Sequence, residues 1–148
     1  MINAAKTLPV AMVVVASVAF SPSAFSHDPA VLQGSKALGY VKGAQKMKIP
    51  SMNVPGVNAY FQDVISTGNK KAPITCGMFR LEKGKELVYT YDYDDTKIVL
   101  EGSFYFSDGK TKVKGEPGDV VAFPKGSTIT FTTDNYGVGF ACGQRNPF

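Results

Sequence analysis

The sequence predicts one all-β domain, a small barrel, on three observations. From Val57 onward the chain is a succession of short runs of β-branched and aromatic residues. Clusters of Gly, Pro, Asp and Lys break these runs about every eight to twelve positions, the spacing of strands in sandwiches and barrels. No helical apolar period competes with them, and 148 residues suit a single domain with its own core.

Residues 1–26 are expected to stand apart from that domain. Lys6 precedes an apolar and small run over residues 8–20, followed by Ser21-Pro22-Ser23-Ala24-Phe25-Ser26. This order describes a secretory signal peptide cleaved before His27, with Ala24 and Ser26 as the small residues at the cut. The run is shorter than the roughly 20 residues that cross a bilayer. An uncleaved anchor is the alternative; either way the barrel lies outside the cytosol, secreted or periplasmic, with no stable membrane insertion of its own.

Residues 27–56 read as an arm or linker, with Gly34, Gly39, Gly43 and Pro50 allowing at most a short helix near residues 30–40. The barrel is expected over residues 57–148. Its strands are read at 57–63, 75–82, 86–91, 96–101, 103–107, 111–114, 119–123, 128–133 and 137–142. Asp108-Gly109 marks a hairpin because Gly takes the positive φ such a turn requires. Gly115-Glu116-Pro117-Gly118 and Pro124-Lys125-Gly126 mark two more turns.

The formal charge of +4 comes from the residues before Val57, where Lys36, Lys42, Lys46 and Lys48 follow Asp28 without an acid among them. From Val57 onward eleven Lys and Arg balance eleven Asp and Glu. A neutral barrel without a basic stripe argues against a nucleic-acid partner. Cys76 and Cys142 fall in the strands expected near the start and end of the barrel. A disulfide between them and a pair of small buried thiols are equally open readings.

The stretch Tyr89-Thr90-Tyr91-Asp92-Tyr93-Asp94-Asp95-Thr96-Lys97-Ile98-Val99-Leu100-Glu101-Gly102 resembles the first motif of the cupins. Gly118-Asp119-Val120-Val121-Ala122-Phe123-Pro124-Lys125-Gly126-Ser127-Thr128-Ile129 resembles the second. The resemblance implies an RmlC-like jelly-roll β-barrel. It also implies that the positions where cupins carry metal-binding histidines are Tyr89, Tyr91 and Ile129 here, with Asp95 at the carboxylate position. A lone carboxylate without imidazole partners is a poor site for the divalent metals cupins usually bind, so no metal and no cofactor are expected.

Among cupins the chain is most similar to the ethanolamine-utilisation Q protein family. The similarity runs from Cys76 to about Phe140 and rests on Gly77, Tyr93-Asp94, Val99-Leu100-Glu101-Gly102, Gly118-Asp119-Val120 and Phe123-Pro124-Lys125-Gly126-Ser127. That family is linked to ethanolamine metabolism, and an acetate kinase activity has been attributed to it. Its members are otherwise cytosolic or associated with protein shells. The export signal sets this chain apart, and outside the cytosol ATP is not at hand, so the kinase activity is not carried over.

Strand parity puts Tyr89, Tyr91, Tyr93, Asp95 and Lys97 on one side if no bulge intervenes, with Phe123, Ile129 and Phe131 facing them. Such a pocket suits a small organic ligand with a polar end. Each tyrosine is also a good strand residue that packs without any ligand, and Asp95 with Lys97 also reads as an ordinary cross-strand or exposed pair. The leading expectation is a metal-independent binder of a small metabolite. The rival is an isomerase, dehydratase or cyclase using Asp95 and Tyr91 as acid–base groups, and a third reading is a barrel filled by its own side chains. By resemblance a homodimer is expected, with residues 57–63 as an apolar edge strand available to a partner sheet.

Overall fold

The computed structural model describes Ala30–Val31 and residues 38–148. The expected signal peptide lies outside the described residues. Among the described residues there are ten strands: β1 (Ala30–Val31), β2 (Ala59–Ser66), β3 (Thr75–Glu82), β4 (Leu87–Thr90), β5 (Asp95–Gly102), β6 (Phe104–Ser107), β7 (Lys112–Gly115), β8 (Val120–Phe123), β9 (Thr128–Thr132) and β10 (Tyr136–Gly143). They make a six-stranded sheet in the order β1-β2-β3-β10-β5-β8 and a four-stranded sheet in the order β4-β9-β6-β7. Every pairing is antiparallel except the short β1–β2 contact. Two antiparallel sheets facing each other in this order are a cupin jelly roll, and each strand expected from residue 57 onward is present within a few residues of its expected bounds.

The sheets close on an aromatic core because alternate residues of each strand point inward. Phe104 and Phe106 on β6, Ile129 and Phe131 on β9, and Val99 on β5 are buried, whereas Thr96, Ile98 and Thr128 between them are not. Phe131 meets Phe79, Phe106 and Phe123 edge-on with ring centroids 5.6–5.7 Å apart. Edge-to-face contact is what the ring quadrupoles favour, so the packing is directional as well as apolar.

The chain changes sheets at corners, and Gly102 makes one of them. It ends β5 at φ 62°, and Ser103 then donates its N–H to the Tyr136 carbonyl at 3.0 Å before β6 starts in the other sheet. A Cβ at position 102 would lie 2.1 Å from the Tyr136 oxygen. The last residue of Val99-Leu100-Glu101-Gly102 is therefore fixed by sterics. The Asp108-Gly109 turn also forms, with Asp108 Oδ1 accepting the Lys110 and Thr111 N–H groups at 2.9 and 2.6 Å and β6 pairing with β7.

The N-terminal region is more than a plain linker. Ala30–Val31 form a strand paired with Ile65 and Ser66, Leu38–Tyr40 have no regular structure, and residues 32–37 of the stretch that allows a short helix lie outside the described residues. A single 3-10 turn follows at Ala44–Lys46. Val41, Ala44, Met47 and Ile49 pack on Val64, Met78 and Val138 and cover part of the outer face of the larger sheet. Nor is the edge of the expected strand 57–63 open to a partner. The Met52 N–H bonds the Ala59 carbonyl at 2.9 Å, the Phe61 N–H bonds Pro50 at 3.0 Å, and β1 takes up the next residues. These contacts occupy the outer edge of β2 at Ala59, Phe61, Ile65 and Ser66.

Candidate functional site

β4 belongs to one sheet and β5 to the other, yet the inward face continues across the corner between them. Leu87 and Tyr89 on β4, Tyr91 and Tyr93 in the corner, and Asp95 and Lys97 on β5 all line one cavity at the barrel mouth. The second motif holds this corner in place. Tyr91 exchanges backbone hydrogen bonds with Gly126 and Ser127 at 2.7 and 2.9 Å, Asp94 Oδ1 accepts the Lys125 N–H at 2.8 Å, and Asp95 pairs with Phe123. The two motifs, separated in sequence by residues 103–117, thus act on each other directly.

The tyrosines form a stack of edges. Tyr91 meets Tyr89 at 4.7 Å and Tyr93 at 5.6 Å, both near perpendicular, and lies over Phe123 at 5.2 Å. The Tyr89 and Tyr93 hydroxyls are 3.4 Å apart. Burial, and after it the Asp95 charge, holds the Tyr91 phenol well above its usual range. Tyr93 is raised chiefly by burial, and so is Tyr89. At neutral pH all three are therefore hydrogen-bond donors and none is a base.

Asp95 and Lys97 form a buried ion pair between Oδ1 and Nζ, each residue only 7% exposed. Desolvation raises the Asp95 carboxyl above its ordinary value even though Lys97 pulls it down. Desolvation likewise lowers the Lys97 ammonium against the opposing pull of Asp95. Both shifts act in one direction, toward sharing a proton between neutral partners. The Lys97 nitrogen also sits over the Tyr91 and Phe123 rings, 5.2 and 5.5 Å from their centroids.

A strap formed by residues 144–148 closes the mouth, and the sequence reading missed it. Arg145 grips Asp63 on β2 through two nitrogens at 2.6 and 3.0 Å, and the Phe148 N–H donates to the same carboxylate at 2.8 Å. The guanidinium lies 3.8 Å over the Phe148 ring. Burial alone would lower the Arg145 pKa, but the Asp63 carboxylate outweighs it and holds the group charged. Phe148, Met52 and Phe61 complete the cavity wall with Phe79 and Phe131. The signal that could have pointed here is a lone acid in the apolar run Ala59–Ser66 and one of only two arginines in the chain.

Of the residues expected to line the pocket, Tyr89, Tyr91, Tyr93, Asp95, Lys97 and Phe131 meet at this cavity. Phe123 and Ile129 do not. They line a separate cleft of about 230 Å³ with Phe106, Val113 and Val121, between the unpaired edges of β7 and β8. Phe123 supports the site from behind, through Tyr91. The mouth cavity itself is small, about 40 Å³.

Cys76 and Cys142 are register partners on β3 and β10 and form a disulfide, with Cα atoms 4.0 Å apart. A cupin's customary metal does not fit this donor set. The motif positions carry Tyr89, Tyr91 and Ile129, and Asp95 is already bonded to Lys97. Among the described residues, no three His, Cys, Asp or Glu side chains come together as metal ligands.

Fold and site together define a cupin whose histidine positions have become a tyrosine cluster beside a buried Asp–Lys pair. Residues 16–140 match the family described as ethanolamine utilisation protein EutQ, so the chain belongs to that family. It is 26% identical over 120 residues, 71% of its length and 76% of the relative's, to the protein of Clostridioides difficile named acetate kinase EutQ. A solved structure of the Clostridium difficile EutQ protein superposes with a TM-score of 0.52 at 23% identity, covering 58% of this chain and 67% of that one. The polyketide cyclase RemF of Streptomyces resistomycificus superposes with a TM-score of 0.61 at 16% identity, over 74% of this chain and 82% of that one. At these identities the two structures speak for the fold.

Proposed function

We propose that this protein is an exported, metal-independent cupin that binds a very small organic molecule at the barrel mouth. The observation that carries the reading is the convergence of three phenols and a buried Asp95–Lys97 pair on one aromatic cavity. A barrel filled only for stability gains nothing from a desolvated ion pair, since apolar residues of similar volume do as well or better there. Perturbed ionisable groups in a cleft are where ligand sites are found.

The cavity sets the size of the ligand. About 40 Å³ takes roughly three water-sized groups, against the roughly 300 Å³ and more of sites for drug-sized ligands. The cavity is far smaller than a nucleotide, so nothing at this site supports carrying over the kinase activity in the relative's name. A ligand of about four heavy atoms gains at most about 6 kcal/mol without covalent bonding, so its dissociation constant lies no lower than tens of micromolar.

Export is supported by the Cys76–Cys142 disulfide, because such bonds persist in oxidising compartments. Pairing of two copies is also part of the proposal. With the β2 edge engaged, the surface available for it is the outer row Val120, Ile98 and Phe140, register neighbours on β8, β5 and β10 with Val120 66% exposed. A second reading, acid–base catalysis by Asp95 and Tyr91, is favoured by the raised Asp95 carboxyl.

An NMR titration with alcohols, amides, carboxylates and carbonyl compounds of two to four heavy atoms tests the binding reading. Saturable shifts confined to the Tyr89, Tyr91, Tyr93 and Phe131 rings are expected, weakened in Tyr91→Phe. No saturable shift from any of them would sink it. Elemental analysis of protein purified without metal or chelator tests metal independence, and stoichiometric iron, manganese or zinc would overturn that part.

A further inference from the structure

We infer that Lys97 forms a reversible imine with a small aldehyde or ketone in the barrel mouth, with Asp95 as its proton partner. The inference rests on the binding reading above and names the ligand class. Lys97 is a primary amine on the wall of a cavity otherwise made of aromatic faces and phenol hydroxyls. Its nitrogen contacts a single carboxylate oxygen, Asp95 Oδ1, and that carboxyl lines the same cavity. Amine, acid and space for a few heavy atoms thus occur within one half-open cavity.

The chemistry needs no component the site lacks. The neutral Lys97 nitrogen adds its lone pair to the carbonyl carbon, and one of its N–H protons passes to the former carbonyl oxygen to give a neutral carbinolamine. Protonated Asp95 then gives its proton to the hydroxyl, which leaves as water while the nitrogen lone pair closes the C=N bond, and the remaining N–H proton of the iminium returns to the Asp95 carboxylate. Ligand and amine become imine plus one water, with nothing oxidised or reduced. Burial favours the uncharged amine that the first step requires and the protonated carboxyl that the second requires. The Tyr89 and Tyr93 hydroxyls, 3.4 Å apart on the same wall, are donors for the carbonyl oxygen as charge gathers on it.

Size also points to a covalent link. A molecule small enough for this cavity has too few atoms to be held tightly by contact alone, and a reversible bond removes that limit. The exposed lysines among the described residues have neither an enclosing aromatic cavity nor a buried acid beside them.

The test uses the full chain with acetaldehyde or acetone, each with cyanoborohydride, at neutral pH and low carbonyl concentration. Intact mass and peptide mapping then locate the reduced adduct. The expected result is one adduct per chain on Lys97, formed at least about tenfold faster than on any surface lysine and about a hundredfold slower in Asp95→Asn. Adducts spread over surface lysines with Lys97 unmodified would overturn the inference. Saturable ring shifts with ethanol and acetamide but no Lys97 adduct would overturn it too, leaving the binding reading intact. Absence of both would remove the two together. The readout is taken on the native protein, so a Lys97 variant that fails to fold does not affect it.

Discussion

Cys142 stands directly opposite Cys76 across the β3–β10 pair, and the bond between them joins residues 66 positions apart. It sits between strands that are already hydrogen-bonded neighbours, so its effect falls mainly on the unfolded chain, whose freedom it restricts.

A loop of this length is worth about 4 kcal/mol in the chain-entropy treatment. Reduction, or replacement of both cysteines by serine, is expected to lower the urea midpoint by the equivalent amount while the native fold is retained. Equilibrium unfolding with and without reductant measures it. An unchanged midpoint would show that the two sulfurs do not pair in the mature protein.

Gly102→Ala is expected to cost about 3 kcal/mol or more, from a positive φ together with a Cβ placed on the Tyr136 carbonyl. Gly109→Ala, also at positive φ but in open space, should cost only about 1 kcal/mol. Thermal melts of the two variants compare a sheet corner with a solvent turn. Equal losses would contradict the corner geometry.

Asp63→Ala removes both Arg145 bonds and the Phe148 bond together. Leaving a buried guanidinium without its partner costs about 3–5 kcal/mol. Faster amide exchange over residues 144–148 should accompany the loss, and Asp63→Asn, which keeps an acceptor, should lose less. Unaltered exchange in the strap would show that Asp63 does not hold it.

The Asp95–Lys97 pair gives two variants with opposite pH behaviour. Asp95→Asn removes the charge that opposes desolvation of Lys97, so the amine falls further below 10.5. The unfolded chain then carries a proton that the native protein lacks, and stability rises with pH over that span. Lys97→Met is the mirror case: Asp95 climbs further above 3.8, the native state holds the extra proton, and stability falls as pH rises over its span. Urea midpoints across a pH series distinguish the two, and parallel curves would mean that the groups are solvated.

Much of the barrel was legible because period-two alternation survives along β5, β6 and β9, and because glycine turns such as Asp108-Gly109 have a steric reason. The run Tyr89 to Lys97 could be read as one face because no bulge falls between those residues. Parity cannot tell which end of the barrel a residue serves, so Phe123 and Ile129 were set in the pocket when they face the β7–β8 cleft. The strap was illegible for another reason. Asp63 and Arg145 have meaning only as a pair, and neither lies in a motif or carries a period. The arm was misread because its contacts with Val64, Met78 and Val138 follow from tertiary packing rather than local propensity.

The clamp of Arg145 on Asp63 spans 82 positions, nearly the whole barrel. One partner is made before either motif and the other after the last strand, and contacts of such long range form late in folding. The mouth is therefore completed only when the rest of the chain is in place. Neither motif region, cut out or half-folded, would carry a finished cavity, and a chain stalled during synthesis would lack it too.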